Sequence, residues 1–285
     1  MPLFKINDYL TLENGDVDFL NFISLRTMDF IFYKYHGTGN DFVLIDNRSE
    51  FFPEQDKELV AHLCHRRFGI GADGLILLEN HSTQDFKMVY YNSDGNQSSM
   101  CGNGGRCIVH FAQFLGIIDT QTSFEAIDGA HTASIQEDGS ISLKMTDVSE
   151  IRTENDFAFL DTGSPHHVTW VKDLKNLDVY TIGKEIRNNQ YGAVGANVNF
   201  VKQTSADSFS VRTYERGVED ETLSCGTGVT AVALAMFESQ KTKSNKISIE
   251  TPGGKLQVRF KKTGGTYTDI YLEGPAKQVF KGSWK

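Results

Sequence analysis

The stretches SSMCGNGGRC (residues 98–107) and TLSCGTGVTA (residues 222–231) each place a cysteine, Cys101 or Cys225, directly before Gly-x-Gly and a helix-like run. Their surroundings match as well. FKMVYYNSDGNQSSMCGNGG (86–105) and FSVRTYERGVEDETLSCGTG (209–228) both run strand, glycine turn, polar loop, Cys-Gly-x-Gly, helix. The two copies lie about one domain's length apart, so they indicate a domain duplication and not a short-period solenoid, whose repeats are tens of residues long. A duplicated pair related by a pseudo-twofold axis would set its two special helices face to face across a cleft, the usual location of a ligand.

A chain of 285 residues suits two ordinary cores better than one large one. Hydrophobic residues at 39% and charged residues at 23% are globular values, which exclude the disordered class. No apolar run approaches the ~20 residues of a membrane-spanning helix. A formal net charge of -9 argues against nucleic acid as the partner, because phosphate binding needs a basic surface. It is compatible with a cationic or zwitterionic small molecule. Four cysteines, Cys64, Cys101, Cys107 and Cys225, are too few for a disulfide scaffold in a chain of this length. Residues 1–27 lack a basic segment followed by an apolar one, so they do not read as a signal peptide, and the expected location is a reducing cytoplasm. Met28 is followed at once by strand-like FIFYKY, so residues 1–27 are set apart as an N-terminal extension without an assigned role.

From Met28 onward the pattern is strand-rich with a few helices. DFIFYKYHGTGNDFVLIDN (29–47) predicts two strands around a Gly/Asn turn. EQDKELVAHLCHRRFG (54–69) predicts a helix with Leu59, Leu63 and Phe68 near one face and Gly69 as its stop. Leu75–Leu78 and Phe86–Tyr91 predict strands, followed by a helix after Cys101 and further strands to about Met145. The second half repeats the plan: strand, turn and strand in AFLDTGSPHHVTWV (158–171), a helix ending near Asn189, strands in ANVNFVKQT and FSVRTYE, and a helix after Cys225. KISIETPGGKLQVRF (246–260) predicts a hairpin and DIYLEGPAKQVF (269–280) one final strand. The expected domains are 28–145, with about 271–285 returning to it, and 146–270.

A helix N-terminus presents unpaired N–H groups and about half a positive charge. A cysteine there is expected to have a lowered pKa, and the exposed N–H groups form a site for a carboxylate or phosphate. One such unit suggests a nucleophile. Two facing units suggest an acid–base pair, one thiol removing a proton from one face of a carbon while the other delivers a proton to the opposite face, with the developing enolate held by preorganised donors. Taken alone, either motif equally describes a small residue packed where a helix meets a sheet. Cys101 and Cys107 do not have the C-x2-C spacing of zinc sites. His62, Cys64 and His65 cluster inside an apolar helix pattern and read as packing, and Cys64 and Cys107 read as core thiols.

At these residues the chain resembles the diaminopimelate epimerases. The resemblance runs from about Met28 to near the C-terminus and is carried by HGTGNDFVLIDN, GIGADG, YNSDG, MCGNGGRC, GSPHH, ANVNF and ERGVEDETLSCGTG in that order. It implies an α+β fold of two pseudo-symmetric domains, each a mixed or antiparallel, barrel-like sheet wrapped on a central helix. It implies interconversion of LL- and meso-diaminopimelate in lysine and peptidoglycan precursor synthesis, without cofactor or metal, by an enzyme that is commonly a homodimer. Cys101 and Cys225 would be the acid and base, one thiolate and one thiol. Gly102 with Asn103, and Gly226 with Thr227, would hold the reacting carboxylate, and Asn40 would touch substrate. Asn92, Asn197 and Arg216 would grip the distal amino-acid end, and Glu215 and His166 would flank the reacting amino group. The charges suit these roles, since an arginine fork matches a carboxylate and a glutamate an ammonium.

Asn40 follows Gly39 and reads equally as a turn residue, and Glu215–Arg216 as an exposed pair. His166 and His167 are adjacent, so in a strand only one faces the site. The chain departs from the pattern at Ser164, where many relatives have Asn, at Gly74, where some have Gln, and in a one-residue-longer loop that includes Glu219–Thr222. The rival readings are a proline or hydroxyproline racemase of the same superfamily, and a non-catalytic binding or redox-sensing protein. Facing thiols within disulfide reach, Cα atoms within about 7 Å, would be reversibly inactivated by oxidation.

Overall fold

The computed structural model describes residues 29–285; the expected extension, 1–27, lies outside the described residues. The first half is built from β1 (Phe30–Gly37), β2 (Asn40–Asp46), α1 (Lys57–Cys64), β3 (Gly74–Glu79), β4 (Phe86–Asn92), α2 (Gly102–Phe114), β5 (Gln121–Ala126), β6 (Gly129–Ile135) and β7 (Ile141–Lys144). After β8 (Ile151–Thr153) the second half follows: β9 (Phe157–Asp161), β10 (Pro165–Trp170), α3 (Val179–Tyr191), β11 (Asn197–Ser205), β12 (Ser208–Glu215), β13 (Asp220–Thr222), α4 (Gly226–Glu238), β14 (Lys246–Thr251), β15 (Gly254–Thr263) and β16 (Thr266–Gly274). β17 (Lys277–Trp284) closes the chain.

The pairings repeat. β1–β2 and β9–β10 are antiparallel. β2–β3 and β10–β11 are parallel across α1 and α3, and β4–β5 and β12–β14 are parallel across α2 and α4. β5–β6–β7 and β14–β15–β16 are antiparallel meanders. β7 pairs antiparallel with β16, which joins the halves, and β17 crosses back to pair with β1. The protein thus has a two-domain α+β fold in which each half is a mixed sheet around one helix.

Strand composition explains the layers. In β2 and β3, Phe42, Leu44, Ile76 and Leu78 point to the α2 side while Val43, Ile45, Leu75 and Leu77 point to the α1 side. Both faces are covered, which is why GLILLE shows no polar alternation. α2 packs on β1, β2, β3 and β7, and α4 on β8 to β12 and β14 to β16. α4 is apolar nearly all round, as a central helix is expected to be, whereas α2 carries Asn103, Arg106, His110 and Gln113 along one face. Cys107, Ile108, Val109 and Phe111 are wholly buried in α2, and Val232, Ala233, Leu234 and Ala235 in α4.

Two expectations from the sequence are corrected. The first helix ends at Cys64, not Gly69, and Phe68 is 73% exposed. Asp56 caps its start by accepting from the Leu59 N–H at 2.9 Å. At its end His65 is extended, and its Nδ1 accepts from the N–H groups of Arg67 and Phe68 at 3.1 Å each, which diverts those groups from the helix. The stretch DIYLEGPAKQVF is two strands. Gly274-Pro275 separates them because proline has no N–H for a ladder, and they serve different partners, β16 on β15 and β7, β17 on β1.

Candidate active site

Cys101 and Cys225 are the N-cap residues of α2 and α4, both in extended conformation with no side-chain capping bond. The two helix ends meet. A Cβ built on Gly226 would lie 3.1 Å from Gly102 Cα, and one on Gly102 would lie 3.4 Å from Gly226 Cα. Leu272 of β16 packs beneath both, its Cδ2 being 3.0 Å and 3.1 Å from those same Cβ positions. A side chain on either residue would crowd Leu272, and one on Gly226 the facing backbone as well, so glycine in both copies lets two sets of helix N-terminal N–H groups converge.

Asn40 opens β2 immediately after the Thr38-Gly39 turn, in which both residues have positive φ. Its Nδ2 donates to Asp73 Oδ2 at 2.7 Å, which aims Oδ1 at the Cys101 thiol, 3.7 Å away, and at Asn103 Nδ2, 3.2 Å away. Asp73 is itself held by Arg66, whose guanidinium also clasps Asp41. Asn103 Nδ2 donates in addition to the backbone oxygen of Ser224 at 2.9 Å, a contact from the first half to the residue preceding Cys225. Thr38 Oγ1 donates to Ser224 Oγ at 2.9 Å along the same seam. In the second half Cys225 Sγ lies 3.5 Å from Thr227 Oγ1.

A second polar group stands in β10, β11 and β12. Asn197 Nδ2 donates to Ser164 Oγ at 3.1 Å, and Asn197 Oδ1 accepts from the Arg216 N–H at 2.9 Å. Arg216 Nη2 donates to Ser164 Oγ at 3.2 Å and Nη1 to the Val194 carbonyl at 3.0 Å. Ser164 is therefore the hydroxyl against which Arg216 rests. Glu215, next in the chain, accepts from Thr222 Oγ1 at 2.9 Å, and its carboxylate raises the pKa of both thiols. His166 is fully buried, 3.5 Å from Asn197 Nδ2 through Nε2 and 3.1 Å from Asn199 Nδ2 through Nδ1. Burial, and then the charge of Arg216, hold its pKa down to about 3, so the ring is neutral. His167 points the other way, bonded to Tyr191 at 2.8 Å and stacked on Phe157. Asn92 is exposed at the end of β4, and its side chain bonds to none of these groups. Gly74 lies under the ring of Tyr90, where a Cβ would come within 2.6 Å of Tyr90 Cε2, so a longer side chain has no room.

The thiols correct one expectation. Burial pushes both Cys101 and Cys225 above the ordinary thiol value, and Glu215 adds to it. The N–H groups of Gly104 and Asn103 at Cys101, and of Gly228 at Cys225, pull the other way and do not prevail. Cys64 and Cys107 are buried, their thiols pushed up to about 12 by the same cause. Sequence reading missed Thr38, Asp73, Arg106, Asn199 and Ser224. The signal for Arg106 was present: a charged residue five places after Cys101, on a helix whose remaining side chains are uncharged or, at His110, imidazole.

Known proteins resemble this chain over most of its length. A family model described as diaminopimelate epimerase matches residues 32–151 and 158–279. The diaminopimelate epimerase of Flavobacterium psychrophilum is 59% identical over 250 residues, covering 87% of this chain and 98% of its own. That of Chlorobaculum tepidum is 45% identical over 256 residues, with coverage of 87% and 98%. Among solved structures, a phenazine biosynthesis protein of the PhzF family from Bacillus anthracis superposes with a TM-score of 0.69 at 14% identity, covering 90% of this chain and 99% of that one. A hydroxyproline epimerase from Agrobacterium vitis does so with a TM-score of 0.64 at 16% identity, covering 90% and 92%. At those identities the two structures speak for the fold alone.

Proposed function

The chain belongs to the diaminopimelate epimerase family, and from that premise we propose that it interconverts LL- and meso-diaminopimelate with Cys101 and Cys225 as the acid–base pair. It is an isomerase of amino-acid biosynthesis. The observation that carries the residue assignment is the contact of Gly102 with Gly226, which brings two cysteine-capped helix ends to one point.

The α-carbon of the substrate sits between the two thiols. One takes the α-proton as thiolate; the other, as thiol, returns a proton to the opposite face, and the configuration inverts. The α-carboxylate lies on the N–H groups that follow Cys101 and Cys225, at Gly102–Asn103 and Gly226–Thr227. Negative charge that spreads onto it in the transition state meets preorganised donors and two aligned helix dipoles. Burial disfavours a thiolate in the free site, so the arriving α-ammonium has two effects. It pairs with Glu215, which removes that carboxylate's repulsion, and its own positive charge favours the thiolate. His166, neutral, with Nδ1 facing the Asn199 amide, stands near the same amino group without adding a second positive charge there. Arg216, steadied by Ser164 and Asn197, offers its fork to the distal carboxylate, and Asn92 stands at the rim for the distal end. Asn40 accepts from the Cys101 thiol and keeps it aimed. The enzyme is proposed to act as a homodimer in the reducing cytoplasm, where its free thiols persist.

The test is a substrate panel. The protein should convert LL-diaminopimelate to the meso form and leave L-proline and trans-4-hydroxy-L-proline untouched. Turnover of either proline with none of diaminopimelate would overturn the reading.

A further inference from the structure

Arg106 is the fully buried charge closest to the converging helix ends, and no role above uses it. Its guanidinium donates through Nη1 to the Gly102 carbonyl at 3.1 Å, through Nη2 to Asn103 Oδ1 at 2.9 Å and Thr38 Oγ1 at 3.2 Å, and through Nε to the Pro275 carbonyl at 3.4 Å. All four acceptors are neutral, and among the described residues no carboxylate pairs with it. A buried cation without a counter-ion is unfavourable, so its retention calls for a reason.

The second half of the fold supplies the comparison. Thr230 occupies the place of Arg106 in α4, five residues after Cys225, and its hydroxyl donates to the Gly226 carbonyl at 3.1 Å. Tying down the first carbonyl of the central helix therefore needs only a hydroxyl. Besides Nε, which goes to the Pro275 carbonyl, the remaining donor of Arg106, Nη2, goes to Asn103 and Thr38, the two residues that cross to Ser224. By donating to Asn103 Oδ1, Arg106 fixes which way that amide faces, so that Nδ2 points to Asn40 and to the Ser224 carbonyl. Ser224 is bonded to Cys225.

We propose that Arg106 is a positioning residue for the reaction: acting through Asn103 and Thr38 it sets the Cys225 segment against Cys101, and its unneutralised charge supports the thiolate and carboxylate at the helix ends. This rests on the two-thiol reading. Arg106 favours the charged form of Cys101, while Glu215 of β12 opposes it, and Tyr90 of β4, Cys107 of α2 and Cys225 are the other titratable groups nearby. All of them are left unchanged in the variants below.

The experiment compares Arg106→Met and Arg106→Lys with the parent protein in two assays. The first follows alkylation of Cys101 by iodoacetamide as a function of pH without substrate, read by peptide mass spectrometry so that Cys64, Cys107 and Cys225 are counted separately, and it decides the charge part whether or not diaminopimelate is the substrate. The second measures kcat and KM for LL-diaminopimelate. In Arg106→Met, loss of the cation should move the rise of alkylation to higher pH. Its kcat should fall about 10²-fold or more, the effect of a small misplacement of reacting groups, with KM within about threefold. Arg106→Lys should restore the alkylation profile and not kcat, because an ammonium cannot span the four acceptors. An unchanged alkylation profile in Arg106→Met together with kcat within about twofold would overturn the proposal, as would full rescue of kcat by lysine. If Arg106→Met fails to fold by circular dichroism, Thr38→Val, which deletes one acceptor and the bond to Ser224, is measured instead. Lower kcat at unchanged KM supports the proposal, and a parental kcat overturns it.

Discussion

Gly102 and Gly226 stand against each other so closely that a Cβ on Gly226 would lie 3.1 Å from the Cα of Gly102. Every element of the proposed chemistry hangs on that approach, because it makes two helix N-termini, each from one half of a duplicated chain, into one site. Gly226→Ala should therefore wedge the halves apart while altering the cores little. The expected cost is about 1–3 kcal/mol of stability and about 10²-fold in kcat. Gly102→Ala, whose Cβ meets Gly226 at 3.4 Å but Leu272 at 3.0 Å, should act in the same direction and less strongly. Parental kcat in both variants would contradict the shared site.

Arg216 is expected to decide selectivity for the distal end. Its fork is braced by Ser164 and the Val194 carbonyl. Arg216→Ala should lower kcat/KM for LL-diaminopimelate by about 10²-fold, the range of a lost charge-assisted hydrogen bond pair. Arg216→Lys should recover only part of it, because an ammonium cannot make the bidentate contact. Steady-state kinetics of the two variants checks this, and equal kcat/KM in all three proteins would remove Arg216 from the site.

Stability should fall in mild acid because of two buried histidines. Burial and then Arg216 hold His166 down to about 3, and burial holds His167 down to about 4. Unfolded, both titrate near about 6.5, so the unfolded chain binds protons first. The stabilisation is complete above about 6.5 and is lost as pH falls from there toward the folded values, by about 2 kcal/mol per histidine at about pH 5. Denaturant midpoints at about pH 7.5 and pH 5 should differ accordingly, and His167→Phe should reduce the difference. A midpoint independent of pH would contradict it.

The parts of this molecule legible in its sequence are the local ones. Cys-Gly-x-Gly before an apolar run marks a helix start in both of its copies, and its repetition points to two halves with facing helices. The strands are legible as short apolar and β-branched runs between turn residues, Leu75–Leu78 among them. What stayed hidden depends on residues far apart in the chain. Asn103 to Ser224, and Thr38 to Ser224, are pairings that exist only once the halves have met. The thiol pKa went the wrong way for the same reason: the helix end is a local property, whereas the burial that outweighs it belongs to the assembled cleft. Phe68 was misplaced because one imidazole, His65, competes with the backbone for two N–H groups. The final stretch was read as one strand because neither side of Gly274-Pro275 announces which half it will join.

Two thiols working from opposite sides of one carbon are tested most directly by α-proton exchange from LL-diaminopimelate in D2O. The measurement is made with the parent protein, Cys101→Ala and Cys225→Ala at equal folded concentration, the fold being checked by circular dichroism. The parent protein should incorporate deuterium with inversion to the meso form, and each single variant should lose inversion. Full epimerase activity in either variant would contradict it.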